Sequence, residues 1–468
     1  MPINSSQVVL GLIFGLVLVI ASLIAERFGM PAETIRMLML GVFGVFFAGG
    51  SLLSRASSLG AYFVGERRIL PWAVAGALTI VAFALIPGLA DLVPSGRPTI
   101  FFVLCLALLL YGIFAAPVLA RDNGLTFFDM IQTRFGSRTL AGAMAAIAAL
   151  IFLLITMRFY NFAVSSVAKS TGLPLTVVIY GTITLAFLAG IWGGISSLVA
   201  CTVLVVSLAL TLGGTSLAVG VLKSESAWPV QSIIQILDGP ALHLQEVQLD
   251  LAFLTMTLTV TGFFTFLNID ATSAGEARIR RAPVLAVLLF FAIAGFGVFP
   301  WLANAGETQN RTGMPMTLAT LHAAIIPALA IAGFGIMAHA SATALAQDLF
   351  FRLAAPRVTS SARLALQRLI YLGVFAMSAW SDLSITSEVR TFEPAAYFLV
   401  CAIPLPVILL SRYTRADWKA AFCAFAGAGM AGAAVYFQYI PMVIAPVTGF
   451  VAALSAGFIS ARLLGPAT

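Results

Sequence analysis

Arg158, Tyr160 and Asn161 are the side chains best equipped to hold an anion, and they stand together inside an otherwise apolar run, Leu140 to Ala168. Arg158 is the only charge deep within any apolar run of the chain. A guanidinium is a planar fork of donors that matches a carboxylate, and Asn161, three positions on, falls on the same helical face. At mid-membrane depth an arginine costs roughly 2.5 to 3.5 kcal/mol on insertion scales, so it usually faces a polar interior. Three readings stand side by side. Arg158 holds a substrate carboxylate, with Asn161 and Tyr160 assisting; or it pairs structurally with backbone carbonyls; or it snorkels to the outer interface. About ten residues separate it from the next external loop, about 15 Å of helix, which is long for snorkelling.

The elements that must position these residues are membrane helices. Of 468 residues, 61% are hydrophobic and 9% charged, against roughly 25% charged in a soluble domain; the mean hydropathy is +1.05. Apolar runs recur along the whole length with no long polar linker, which predicts a single transmembrane domain over residues 1–468. At about 20 residues per span there is room for about 14 helices, near 7–25, 35–54, 70–90, 99–120, 139–168, 173–193, 197–221, 250–268, 283–303, 315–346, 364–381, 393–411, 417–436 and 438–463.

Charge tests that count. Arg55, Arg67, Arg68, Arg121, Arg134, Arg138, Arg278, Arg280, Arg281, Arg352, Arg357, Arg363, Arg368, Arg412, Arg415, Lys419 and Arg462 fall on one side, against Arg27, Arg36, Arg97, Lys169, Lys223, Arg311 and Arg390 on the other. The positive-inside rule then places both termini in the cytoplasm and the chain in the inner membrane. The net charge of +7 is scattered over short loops and forms no stripe for nucleic acid. Cys105, Cys201, Cys401 and Cys423 lie in or beside apolar runs, without disulfide or metal spacing. The start, MPINSSQ, lacks a basic region, so the first run is expected to be a retained helix. Trp72, Trp192, Trp301, Trp380 and Trp418 near span ends read as interfacial belt, and His243, in the long loop from Leu222 to Gln248, as a surface residue.

Two short elements lie between spans. Thr126 to Arg138 (TFFDMIQTRFGSR) opens with Thr126 and Asp129 at capping-box spacing and repeats Phe127, Met130, Ile131 and Phe135 at helical intervals. It should lie along the cytoplasmic surface. Ala274 to Arg281 forms a charged cytoplasmic turn.

Taken in order, these features resemble the sodium:solute symporter family. A GRxLPWW-like lead is matched by Gly65, Arg67, Arg68, Leu70, Pro71 and Trp72; the surface helix by Thr126 to Arg138; an A-x-x-x-x-E-A-R turn by Ala271 to Arg281; and a span end in D-L-(Y/F) by Gln347 to Phe350. The resemblance covers about residues 35–411 and implies an all-α LeuT-type fold: a 5+5 inverted repeat over 70–221 and 250–411, a leading helix at 35–54, an extra N-terminal helix at 7–25 and C-terminal helices over 417–463. The first helix of each repeat should be broken near mid-membrane. Gly76 and Pro87-Gly88 in the third span, and Gly262 in the eighth, are suitable places. In this fold the fifth span, with Arg158, Tyr160 and Asn161, lines the substrate cavity, and Thr79 of the third span and Gly262 of the eighth are further substrate candidates.

The implied sodium site departs from the pattern. The family uses carbonyls at the first break and two adjacent hydroxyls on the tenth span, whose positions here are Ala332 and Gly333. From His322 to Ala340 there is no Ser, Thr, Asp, Asn or Glu, and Na+ wants oxygen ligands. Ser341 and Thr343 could serve only in a shifted register. His339, the side chain type titrating nearest neutrality, offers a route to proton coupling beside the simpler reading as a packed interhelical histidine. No metal cluster, phosphate loop or nucleophile triad is present in the sequence, so no enzyme is expected and no cofactor beyond Na+ as a candidate coupling ion. The expected function is secondary transport of a small organic solute, a carboxylate in the first instance, by alternating access. The alternative is a ligand sensor or accessory subunit without driven transport, partnered by a small membrane protein or a second copy; that no signalling domain follows Thr468 in this sequence counts against a self-contained sensor.

Overall fold

The computed structural model describes residues 5–64, 69–88, 105–106, 108–110, 112–113, 126–222, 281–293, 316–355, 357–384, 410, 418–436 and 445–463. All regular elements among them are helices. The first half contains α1 (Ser5–Arg27), α2 (Ala32–Leu53), the short α3 (Leu59–Val64), α4 (Pro71–Gly88), α5 (Phe127–Phe135), α6 (Arg138–Thr171), α7 (Leu175–Gly190) and α8 (Ile195–Leu222). The second contains α9 (Arg281–Ile293), α10 (Met316–Thr343), α11 (Ser360–Ser384), α12 (Trp418–Tyr436) and α13 (Ala445–Leu463). Four stretches, Ala32–Leu53, Arg138–Thr171, Ile195–Leu212 and Ala324–Ala354, are long and apolar enough to cross a bilayer. The spans placed near 99–120, 250–268 and 393–411 fall almost entirely outside the described residues. So do Gly262, most of the lead from Gly65 to Arg68, the loop carrying His243, the Ala274 turn and Trp301.

The middle of the molecule is α10. Its apolar window is buried throughout, and it packs against α2, α4, α6, α7, α8 and α11. A helix apolar on every side is what such a position requires, and the run of Ala, Gly and Ile lets its neighbours come close. A Cβ on Gly335 would sit 3.1 Å from Leu198 Cδ2 and 3.5 Å from the Ala186 carbonyl. The tenth span also runs past its expected end at 346, because from Ala344 to Ala354 the chain winds into π-helical turns.

α6 is the second long helix and lies along α10. Ser137 caps its start by accepting from the Leu140 N–H at 3.1 Å, and Gly172, at φ 66°, ends it in the left-handed conformation. Of the small residues that read as close packing, Gly142, Ala145, Ala148 and Ala149 are buried, Ala146 is half-buried and Ala143 is exposed, and a Cβ on Gly142 would meet Leu353 Cδ2 at 2.7 Å. α4 runs through Gly76 without a break, so of the two breaking points in the third span only Pro87-Gly88, at the helix end, is left.

The two ends of the bundle are tied differently. At one end Arg138 donates to the Arg352 carbonyl, and these two and Arg363 line one small cavity. At the other, a Cβ on Gly172 would come 3.9 Å from the Glu33 carboxylate, which joins the start of α2 to the end of α6.

Candidate functional site

Three tiers of polar or aromatic side chains lie along α10, facing α6, α3, α5 and α11. The uppermost is around Ala332 and Gly333. Both are buried, and the next residue, Phe334, carries the contacts: its ring lies 5.5 Å from Tyr160 of α6 and 5.0 Å from Phe375 of α11. Tyr160 is fully buried, whereas Arg158 is half-buried and Asn161 exposed. The structure therefore sets Tyr160 against α10 and leaves Asn161 on an exposed face. The reason is rotational: residues 156, 159, 160 and 163 form the face of α6 turned inward, and 150, 161 and 165 the outward one. Arg158 sits at the boundary between them.

Thr79, the candidate on α4, is buried and spends its hydroxyl locally. It lies 2.8 Å from the Ala75 carbonyl and 3.2 Å from the Ala286 carbonyl of α9, which makes it an α4–α9 contact. Gly262 lies outside the described residues. The residues at the expected sodium position do not fit that ion: Ala332 and Gly333 bring no side-chain oxygen, and α4 is helical throughout Pro71–Gly88, which keeps all but its last carbonyls within the helix. The nearest hydroxyl along α10 is Ser341, and it is engaged with Thr156 of α6 at 2.6 Å, while Thr156 also donates to the Phe152 carbonyl at 2.7 Å. Such a hydroxyl pair is worth about 0.6 kcal/mol, up to about 2, between membrane helices.

About 9 Å further along the helix lies His339, fully buried. Its ring is 5.2 Å from Tyr62, 6.4 Å from Phe63 and 6.0 Å from Tyr371. It lies beside the Tyr62 backbone, yet neither ring nitrogen completes a hydrogen bond to a described residue. Tyr62 and Phe63 come from α3, the short helix between α2 and α4. They are wedged by Gly194, whose φ of 60° and missing Cβ let the Tyr62 carbonyl and ring approach. Arg368 lies 5.8 Å over the Tyr62 ring and donates to the Ala56 and Trp192 carbonyls at 3.2 Å each. This aromatic plug was not foreseen. Tyr62 and Tyr371 are separated from His339 by hundreds and tens of residues respectively, and nothing in their local spacing joins them.

The third tier is a charged knot. Arg352 reaches Asp129 of α5 at 2.6 Å and Asp348 at 3.2 Å, the Phe128 carbonyl at 3.2 Å and the Gln132 side chain. Thr126 donates to Asp348 and caps α5 in a full capping box with Asp129. Arg352 and Asp348 are 5% and 1% exposed at the side chain, so this is a buried pair held by additional hydrogen bonds. The two motifs read separately in the sequence, Thr126 to Arg138 and Gln347 to Phe350, are here one structure.

No protein-family model matches the chain, and no curated protein matches it by sequence. Solved structures do. A Na+-coupled sialic acid symporter in a substrate-bound, outward-open state superposes with a TM-score of 0.68 at 17% identity, covering 93% of this chain and 98% of that one. A nucleobase-cation-symport-1 family transporter, in a closed conformation with bromovinylhydantoin bound, superposes at 0.55 and 13% identity, over 87% and 95%. The chain is an all-helical membrane protein with the LeuT-type fold of both.

Proposed function

We propose that the chain is a secondary transporter of a small organic anion, working by alternating access, with its repeats over 70–221 and 250–411 and both termini in the cytoplasm of a cell whose inner membrane it spans. The fold shared with two transporters over most of the chain supports transport, and the sialic acid symporter is a precedent for an anionic solute in this architecture. Arg158 is the candidate partner of the carboxylate, beside the buried Tyr160. The observation that carries the coupling part of the reading is the lack of side-chain oxygen on α10 around Ala332 and Gly333: the chain works without sodium at that position. The same observation favours the second reading, a ligand sensor or accessory subunit that keeps the fold and has lost driven transport.

Reconstitution into sealed vesicles separates them. The transporter reading expects counterflow of an organic acid that is unchanged when sodium is replaced by potassium. It also expects Arg158→Gln to weaken uptake of the acid about tenfold or more, one charge-assisted hydrogen bond's worth, and that of a neutral analogue much less. Saturable sodium dependence would overturn the reading of α10, equal losses for acid and neutral solute the role of Arg158. Binding without counterflow would replace the transporter by the sensor.

A further inference from the structure

The charged knot borders a cavity that the transport reading does not use. It has a volume of about 270 Å³, just below the roughly 300–1,000 Å³ of drug-sized ligand pockets, and is lined by Asp129, Gln132, Arg138, Gln347, Phe351, Arg352 and Arg363. Among the described residues three guanidiniums and one carboxylate line it, a surplus of positive charge even with the buried Asp348 behind them. Arg352 is committed to its carboxylates. Arg138 gives one of its five N–H donors to the Arg352 carbonyl. Arg363 lies 5.3 Å over the Phe351 ring and gives its Nε–H to the Val358 carbonyl at 3.0 Å, which fixes the plane of its fork.

An independent observation comes from Gln347. Its residue is 8% exposed and its Oε1 is buried without a hydrogen-bond partner among the described residues. A buried acceptor left unmatched costs about 1–3 kcal/mol, and this one lines the cavity. Cations call for an anion, and the Gln347 oxygen calls for a donor on the same ligand. A fully ionised carboxylate or sulfate supplies the first and lacks the second. A phosphate group bearing a P–OH, or a phosphate ester with a neighbouring hydroxyl or ammonium, supplies both.

We propose that this cavity is a phosphate-binding site, filled by a phosphate carrying a hydrogen-bond donor, held by Arg138 and Arg363 with Gln347 accepting from it. Free phosphate compounds and phospholipid headgroups share that chemistry. The loop charges put this end of the molecule in the cytoplasm, where both are at hand. The bound anion would touch the wall formed by Arg352, the residue that ties α5 to the end of α10.

The test needs no transported solute. Wild-type protein in phosphatidylcholine nanodiscs is titrated with potassium phosphate and, at matched ionic strength, with potassium sulfate, and the thermal unfolding midpoint is read. Hydrogen phosphate and sulfate are both dianions, and only the first has a donor. A saturable rise with phosphate, weaker with sulfate, is expected; Arg138→Gln and Arg363→Gln should each shift the phosphate midpoint concentration about tenfold upward, and Gln347→Met should erase the preference over sulfate. A second arm uses nanodiscs containing phosphatidylglycerol without added phosphate. A raised midpoint there, with the phosphate response gone, supports the site and identifies a headgroup as its occupant, and a phosphate response that persists identifies a soluble compound. Absence of a saturable response in both arms overturns the proposal, as does equal response to phosphate and sulfate in the wild type, which stands even where a variant does not fold.

Discussion

At the scale of single residues, Arg352 does most to define the end of the molecule where α5 sits. One guanidinium joins two carboxylates, a backbone carbonyl and an amide, and Asp348 behind it is almost wholly buried. Removing one partner of such a pair leaves an uncompensated charge, at about 3–5 kcal/mol. Arg352→Met should therefore lower the unfolding midpoint of the detergent-solubilised protein severely, and Asp348→Asn added to Arg352→Met should recover part of the loss. A double variant no better than the single one would show that Asp348 is not the charge at issue. Half of this knot was legible: the capping box at Thr126 and Asp129 is a local pattern. Its attachment was not, because Asp129 and Arg352 are 223 positions apart and each motif reads the same whether or not they touch. Asn161 illustrates the opposite limit. Its spacing puts it about one turn from Arg158, but in a helix apolar on every side no pattern says which face turns inward, and Asn161 is exposed where Arg158 is half-buried.

Among the elements, α6 and the π-helical continuation of α10 approach through Gly142, where a Cβ would lie 2.7 Å from Leu353. Overpacking of this kind costs about 1–3 kcal/mol. Gly142→Leu should destabilise the protein by about that much in thermal unfolding, and Leu353→Ala in the same chain should relieve it; no relief would mean that the helices part rather than clash. The alanine- and glycine-rich start of the fifth span made close packing legible. The partner was not, because the tenth span was expected to end at 346, eight residues before the π-helical turns stop at Ala354. Such turns leave no apolar period that separates them from an ordinary helix.

The whole molecule was the most legible level. Hydropathy and alternating loop charge require only that each span cross completely, so they do not depend on knowing which helices touch. Their strongest test is sidedness. In a cysteine-free background, Thr133→Cys and Arg357→Cys should react with a membrane-impermeant thiol reagent only from the cytoplasmic side of oriented vesicles, and Thr176→Cys only from the other; labelling of all three from one side would break the alternation. What the sequence could not supply at this scale was the tiering along α10. Aromatic, hydroxyl and charged layers arise from α3, α5, α6 and α11 meeting one helix, and each contributes residues that look unremarkable in their own segment.

The knot at Arg352 also has a mechanical meaning. α5, nine residues long, is too short to cross a bilayer, and it is pinned to the end of the most deeply enclosed of the described helices by the ion pair of Asp129 and the hydrogen bond of the capping Thr126. Any tilt or slide of α10 must then carry α5 with it, like a pointer fixed to a hidden shaft. A short helix on the outside of the protein thereby displays the position of a helix that no reagent in water can reach.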